Sequence, residues 1–123
     1  MTGYWQGFHN QDFEAIVDLG SVRELNSISI GALQDIKSWI WYPKRVEFLI
    51  SDDNVTYKVL SIVDNDFPDN KYGCFIKDFT FKCVNSNSAR YIKIKATNYG
   101  KCPSWHLGKG GDTWLFFDEV TVN

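Results

Sequence analysis

Apolar and polar residues alternate with a period of two along most of this chain. In Arg90–Ala96, for example, Ile92 and Ile94 alternate with Lys93 and Lys95. This period is typical of a half-buried β-strand, whereas an amphipathic helix would repeat its apolar residues every three to four positions. Seven segments carry the strand pattern: 13–20, 25–33, 44–51, 57–63, 74–84, 88–98 and 113–122. Their regular spacing predicts an all-β fold, an antiparallel sandwich or jelly roll.

The same alternation predicts which side chains face the core. In the second segment, Ile28, Ile30 and Ala32 share one face. In the last segment, the inward residues are predicted to be Trp114, Phe116, Val120 and Val122. Between segments, residues such as Ser51–Asn54 have strong turn chemistry, so short connections are expected.

Composition and charge narrow the range of functions. The chain has 123 residues and is expected to form one domain over residues 1–123. Its formal net charge is −2 and its basic residues are scattered, which argues against a nucleic-acid-binding surface. No apolar run is long enough to predict a membrane span, and no secretory signal is recognisable. The abrupt start at Met1–Trp5 is expected of a fragment of a larger protein.

The three cysteines give little direct information about chemistry. Cys74, Cys83 and Cys102 form no CxxC pair, so they signal neither a zinc site nor a full disulfide framework. A bridge between Cys74 and Cys83 would close a hairpin. Buried free thiols that pack as small hydrophobic groups are the favoured interpretation.

Aromatic residues make up 16% of the chain, and many of them fall outside the strand pattern. They concentrate in Tyr4–Asp12, Gln34–Pro43 and Lys101–Asp112, which precede, join or follow predicted strands. In a sandwich the loops gather at the two ends, so several of these segments could converge.

Each of these loops places aromatic rings beside hydrogen-bonding groups. A sugar presents an apolar C–H face and a rim of hydroxyl groups, and such a set of side chains matches both features. The predicted carbohydrate-binding residues are Gln34, Asp35, Trp39, Trp41, Asn98, Trp105, His106 and Asp112. The alternative interpretation is structural, because tryptophans can also close the open end of a sandwich.

The sequence offers little support for catalysis. Asp118 and Glu119 are adjacent in a predicted strand and therefore point to opposite faces, which prevents them from acting as a pair. The chain has no nucleophile elbow and no HExxH motif. Gly108–Gly111 lacks the preceding strand and following helix of a phosphate-binding loop. The domain is therefore expected not to be an enzyme.

Several motifs together resemble a known family. They are Ile16–Gly20 (IVDLG), the Tyr42–Asp53 hairpin (YP, then VEFLIS) and Arg90–Ala96 (RYIKIKA). By their order and spacing, the chain resembles the discoidin-like, factor V/VIII type C domains over nearly its whole length. Gly31–Pro43 and Lys101–Glu119 are similar more particularly to the C-terminal domain of bacterial β-N-acetylhexosaminidases of the chitobiase type, from Bacteroides-like organisms.

The resemblance implies a jelly-roll β-sandwich with the galactose-binding-domain-like fold and no catalysis of its own. Such domains bind glycans, phospholipid headgroups or proteins through loops at one end. The implied function is a carbohydrate-binding module for a glycan of the galactose or N-acetylhexosamine type, attached to a glycoside hydrolase. Two alternatives stay open. One is a structural domain that packs on the parent catalytic domain, and the other is a membrane or protein adhesion domain, although the acidic balance disfavours a membrane.

The family also usually holds a structural calcium ion, through an N-terminal Asp-Gly loop and a glutamate near the C-terminus. Glu119 matches the second position, whereas the Asp-Gly loop and the first family strand have no counterpart in this sequence. Calcium takes about six to eight oxygen ligands, so Glu119 alone would not hold it, and no cofactor is expected to be required. The resemblance further implies a monomer that is periplasmic, secreted or on the surface of a Gram-negative bacterium.

Overall fold

A computed structural model describes residues 5–123, apart from the side chains of residues 84–86. Tyr4, which begins the first aromatic segment predicted above, lies outside the described residues. Within residues 5–123 the chain consists of strands, loops and one 3₁₀ turn. The elements are β1 (Gln6–His9), β2 (Phe13–Gln34), the 3₁₀ turn (Ile36–Ser38), β3 (Arg45–Ser51), β4 (Lys58–Asp64), β5 (Phe75–Ala96) and β6 (Trp114–Val122). The all-β prediction is confirmed, and no described helix is long and apolar enough to cross a membrane.

The strands pair antiparallel in the order β1-β6-β2-β5-β3-β4. Strands β2 and β5 are long because each joins two of the predicted segments, with register shifts in β2 between Asp18 and Arg23 and between Leu25 and Ser27. Residues 13–18 of β2 pair with residues 91–96 of β5, and residues 27–34 pair with residues 75–82. Strand β3 pairs with residues 91–96 of β5 and so adds to the first of these two regions. Strand β6 pairs with residues 28–32 of β2 and so adds to the second. The two halves of each long strand therefore belong to different layers.

The core lies between these two layers. Its buried side chains form one cluster that draws on both halves of β2 and β5. The cluster contains Leu25, Ile28, Ile30, Ala32, Tyr42, Val46, Phe48, Ile50, Phe79, Ala89, Ile92, Ile94, Ala96, Leu115 and Phe117. Phe13 and Phe117 join the layers with ring centroids 4.7 Å apart. The fold is therefore the predicted antiparallel jelly-roll β-sandwich.

The predicted inward face of the last strand is wrong in its first half. Leu115 and Phe117 are buried there, while Trp114 and Phe116 alternate with them and are only partly buried. A register shift against β2 adds one residue to β6 before Val120, so the alternation changes sides. In the second half of the strand, Val120 and Val122 therefore pack against the core as predicted.

All three cysteines are free thiols. Cys102 is buried, Cys83 is half-buried and Cys74 is exposed. The interpretation as buried thiols is therefore right for Cys102 and wrong for Cys74.

Four loops meet at one end of the sandwich, which we call the aromatic end. They are residues 10–12, 35–44, 65–74 and 97–113. Backbone hydrogen bonds join them: Lys44 N–H donates to the Thr97 carbonyl at 2.9 Å, and Asn65 N–H donates to the Lys44 carbonyl at 3.0 Å. Asn10 N–H donates to the Thr113 carbonyl at 3.0 Å. The predicted convergence of aromatic segments is therefore confirmed, with 65–74 as an additional member.

Candidate functional site at the aromatic end

Loops 35–44 and 97–113 pack together through Trp39 and two glycines. Trp39 ends the 3₁₀ turn in the left-handed region, with φ 67°, which turns its ring across the second loop. A Cβ added to Gly108 would lie 2.5 Å from this ring, and one added to Gly111 would lie 2.6 Å from it. Only glycine allows this approach, which explains the glycine-rich sequence of the loop.

His106 lies at the centre of the same contact. It is 5% exposed, and its Nδ1 accepts a hydrogen bond from Gly108 N–H at 2.9 Å. Its Nε2 is therefore the protonated nitrogen and donates to the Ile36 carbonyl at 2.5 Å. The ring also contacts Trp41 at a centroid distance of 5.1 Å and Trp105 at 6.0 Å. The imidazole thus holds the two loops together and supports the tryptophans around it.

Trp41 connects this centre to loop 65–74. It is 1% exposed and stacks on Tyr99 with ring centroids 4.9 Å apart and planes at 11°. Its Nε1–H donates to the Asp69 carbonyl at 2.8 Å, and Tyr99 O–H donates to Asp69 Oδ2 at 2.7 Å. Burial first, and then the hydrogen bond to Asp69, raise the pKa of Tyr99 to about 12, so its hydroxyl remains a donor at neutral pH.

Gln34 has a structural position within this end. Its side chain is fully buried, Nε2 donates to the Pro68 carbonyl at 3.0 Å, and Oε1 accepts from Tyr42 N–H at 3.3 Å. A buried amide with both ends engaged offers no exposed atom to a ligand. Its two hydrogen bonds join loop 65–74 to loop 35–44.

Asn98 organises the junction with residues 10–12. Its Nδ2–H donates to the Gln11 carbonyl at 3.2 Å. Its Oδ1 accepts from Gly100 N–H at 2.8 Å and from Thr113 Oγ1–H at 2.9 Å. Because the amide is committed to these partners, Asn98 sets the shape of loop 97–113.

The two predicted carboxylates are partly exposed. Asp35 Oδ2 accepts from Ser38 Oγ–H at 3.2 Å within the 3₁₀ turn. Asp112 forms an ion pair and hydrogen bond with Lys101 across the base of the glycine loop. Both side chains are only partly accessible, and each carboxylate already has a protein partner.

The exposed rings of the aromatic end are Trp39, Trp105 and Tyr72, with 37%, 46% and 56% of their surfaces accessible. Trp105 and Tyr72 form what we call the ring pair, with centroids 6.3 Å apart and planes at 66°. Leu107, next along the loop from His106, is fully exposed. Of the four predicted residues with aromatic side chains, Trp39 and Trp105 thus face solvent, whereas Trp41 and His106 support them from beneath.

A polar cavity of about 380 Å³ lies at the same end of the sandwich. It is lined by Tyr42, Lys44, Asn65, Asp66, Phe67, Pro68, Asp69 and Tyr99. None of these residues is among the predicted carbohydrate-binding residues. Loop 65–74, which supplies five of them, lies outside the three segments in which the sequence concentrates its aromatic residues. Its amide and carboxylate side chains between Phe67 and Tyr72 were the signal that could have identified it.

A second depression, of about 360 Å³, lies at the opposite end of the sandwich. It is lined by Ile50, Ser51, Asp52, Thr56, Lys58, Asn87, Ser88 and Ala89. Its lining contains no aromatic ring, so it lacks the combination of aromatic and polar side chains found at the aromatic end.

The residues described here do not fit a calcium site around Glu119. Its side chain is exposed on β6. Among residues 5–123 with described side chains, no three His, Cys, Asp or Glu residues are grouped to hold a metal ion. Calcium takes about six to eight oxygen ligands, of which the carboxylate of Glu119 could supply at most two.

The fold and its aromatic end define the chain as a β-sandwich module with a concave, aromatic-lined surface built from loops. The family model of the F5/8 type C domain matches residues 1–111. The chain therefore belongs to the F5/8 type C domain family, as the discoidin-like motifs indicated.

Two solved structures agree with this assignment at the level of the fold. CpGH89CBM32-6 from Clostridium perfringens has a TM-score of 0.60 at 11% identity, covering 95% of this chain and 75% of its own. CpGH89CBM32-5 from the same organism has a TM-score of 0.55 at 17% identity, covering 92% and 75%. The C-terminal domain of a chitobiase from Bacteroides fragilis has a TM-score of 0.48 at 18% identity, covering 92% and 66%. No curated protein matches the chain in sequence.

Proposed function

We propose that this domain is a non-catalytic carbohydrate-binding module whose binding site is the aromatic end. One observation carries the proposal: exposed aromatic rings and a polar cavity lie at the same end of the sandwich, on loops that hydrogen bonds hold together. The rings suit the C–H faces of a sugar. The ammonium of Lys44 and the carboxylates of Asp66 and Asp69 suit its hydroxyl groups.

The ligand class that we propose is a glycan of the galactose or N-acetylhexosamine type. The structure of CpGH89CBM32-5, which shares the fold, is a complex with GalNAc-β-1,3-galactose. The cavity is at the small end of the usual range of about 300–1,000 Å³ for ligand sites, which suits a single sugar ring. Contact with one sugar would be weak, with a Kd of roughly 0.1–1 mM, or about −4 to −5.5 kcal/mol.

Weak binding of this kind is useful in a module tethered to an enzyme. Tethering raises the effective concentration of the catalytic domain near its substrate without any new contact. We therefore propose a glycoside hydrolase, such as a chitobiase, as the parent protein, with the module acting as a monomer. A periplasmic, secreted or cell-surface location in a Gram-negative bacterium would give it access to glycans.

The direct test is a titration of the ¹⁵N-labelled domain with galactose, N-acetylglucosamine and N-acetylgalactosamine, followed by amide chemical shifts. We expect saturable shifts in loops 65–74 and 97–113 with at least one sugar. Lys44→Ala should weaken binding about tenfold, the effect of losing about 1.4 kcal/mol. Lys58→Ala removes the same type of side chain from the depression at the opposite end, and it should leave the Kd unchanged.

Two results would contradict the proposal. One is the absence of shifts with all three sugars at millimolar concentration in a folded sample, which would favour a structural domain that packs on its parent enzyme. The other is binding that Lys58→Ala abolishes and Lys44→Ala does not affect, because the site would then lie at the opposite end.

A further inference from the structure

The geometry points to an oligosaccharide as the full ligand, one sugar occupying the polar cavity and a second lying against the ring pair. This inference rests on the proposed function and adds the size of the ligand to it. The two zones share no residue: neither Tyr72 nor Trp105 lines the cavity.

The spacing of the two zones follows from loop 65–74. This loop supplies Asp69 to the wall of the cavity and Tyr72 to the ring pair. The two residues are three positions apart, so their Cα atoms are separated by at most about 11 Å. A short oligosaccharide can reach from one zone to the other across such a distance.

The two zones are held at this spacing before any ligand binds. Asp69 is fixed by hydrogen bonds from Trp41 Nε1–H at 2.8 Å and from Tyr99 O–H at 2.7 Å. Trp41 contacts His106 at 5.1 Å between ring centroids, and His106 contacts Trp105 at 6.0 Å. A continuous series of contacts, which passes through the buried side chains of Trp41 and His106, thus connects the cavity wall to the ring pair. A preformed site of this kind reduces the ordering cost of binding a longer ligand.

The two zones also differ in chemistry. The cavity presents charged and amide groups, whereas the ring pair presents two exposed aromatic surfaces, 46% and 56% accessible, at 66° to each other. Trp105 and Tyr72 together form an angled apolar wall, and a pyranose ring can lie on one face while its edge meets the other. The second sugar is therefore expected to be held mainly by apolar contact, with few hydrogen bonds.

The test compares ligands of increasing length on the intact domain. The probes are N-acetylgalactosamine, the disaccharide GalNAc-β-1,3-galactose and globotetraose, a tetrasaccharide that ends in this disaccharide. N-acetylglucosamine and chitotetraose form a second series. In whichever of the two series binds, we expect the oligosaccharide to have a Kd at least about tenfold lower than that of its monosaccharide, because a second zone of contact adds to the first.

Variants assign the gain to the ring pair. Tyr72→Ala and Trp105→Ala should each raise the Kd of the longer sugar towards that of the monosaccharide, by a larger factor than either variant raises the Kd of the monosaccharide. Two variants are used because loss of Trp105 also removes a contact of the buried His106. Tyr57→Ala, which removes the same side chain as Tyr72→Ala at the opposite end, is the matched control and should change neither Kd.

The possible outcomes separate this inference from the proposed function. A monosaccharide that binds as tightly as its tetrasaccharide would overturn the two-zone ligand and leave the carbohydrate-binding module intact. A gain with length that survives both Tyr72→Ala and Trp105→Ala would also overturn it. If no sugar of either series binds to the folded domain, both proposals fail together.

Discussion

Replacement of His106 by alanine should destabilise the domain strongly although this residue lies in a loop. The imidazole is 5% exposed, accepts from Gly108 N–H and donates to the Ile36 carbonyl. The Ile36 carbonyl also accepts from Trp39 N–H at 3.1 Å, so it keeps one partner after the substitution. Gly108 N–H has no second hydrogen bond among those of the described residues, and it would become an orphaned donor.

These partners give the size of the expected effect. An orphaned buried donor costs about 1–3 kcal/mol, and the lost hydrogen bond to Ile36 adds about 0.5–1.5 kcal/mol. Loss of ring packing against Trp41 and Trp105 adds to both terms. We therefore expect His106→Ala to lower the free energy of unfolding by about 2–5 kcal/mol, a large part of the roughly 5–15 kcal/mol typical of a domain.

The assay is urea unfolding followed by circular dichroism and tryptophan fluorescence. His106→Asn keeps an acceptor that can reach Gly108 N–H, so it should recover about 1–2 kcal/mol relative to alanine. His9→Ala is the control: the other histidine is exposed and stacks on Trp114, so its loss should cost only about 0.5–1.5 kcal/mol. The reasoning is refuted if His106→Ala costs less than His9→Ala, or if asparagine is no better than alanine.

Three further predictions concern other parts of the fold. Gly108→Ala places a Cβ 2.5 Å from the Trp39 ring, so the ring must move, and unfolding experiments should show a loss of about 1–3 kcal/mol. Cys74 should react rapidly with a thiol reagent, whereas Cys102 should react only on unfolding, because its thiol is buried and burial raises its pKa. Burial raises the pKa of Tyr42 from 10.0 to about 12, so its contribution to stability is complete below pH 10 and is lost as the pH rises through 12. Urea midpoints between pH 8 and pH 12 should therefore fall less steeply in Tyr42→Phe.

Each of these predictions has an outcome that would count against it. An unchanged urea midpoint in Gly108→Ala would show that the Trp39 ring moves without cost. Cys74→Ser should abolish the rapid thiol reaction, and a rapid reaction that persists would place the accessible thiol elsewhere. For the alkaline transition, Tyr72→Phe is the exposed control, and an equal flattening in this variant would mean that burial of Tyr42 is not the cause.

Most of the sheet could be predicted from the alternation of apolar and polar residues. Ile28, Ile30 and Ala32 face the core as expected. The prediction failed at Trp114 and Phe116, because the register shift in β6 reverses the faces within one strand. A bulge depends on how two strands pair, and the sequence of one strand does not reveal it.

The candidate site was predictable only in part. The sequence indicated that aromatic loops would converge, and two of the predicted rings, Trp39 and Trp105, are exposed at the aromatic end. The sequence did not show that Trp39 is exposed and that Trp41, two positions later, is buried. The left-handed backbone at Trp39 turns one ring outward, and the hydrogen bond to the Asp69 carbonyl holds the other inside.

Local pattern was thus sufficient for the strands, for their faces where pairing is regular, and for the family to which the chain belongs. The tertiary structure decided which loop residues are exposed and which loop completes the site. Strand faces follow from a period of two that each short segment carries in itself. The surroundings of Trp41 and Asp69 arise instead from contacts between residues 28 positions apart, which form only when the sandwich brings the loops together.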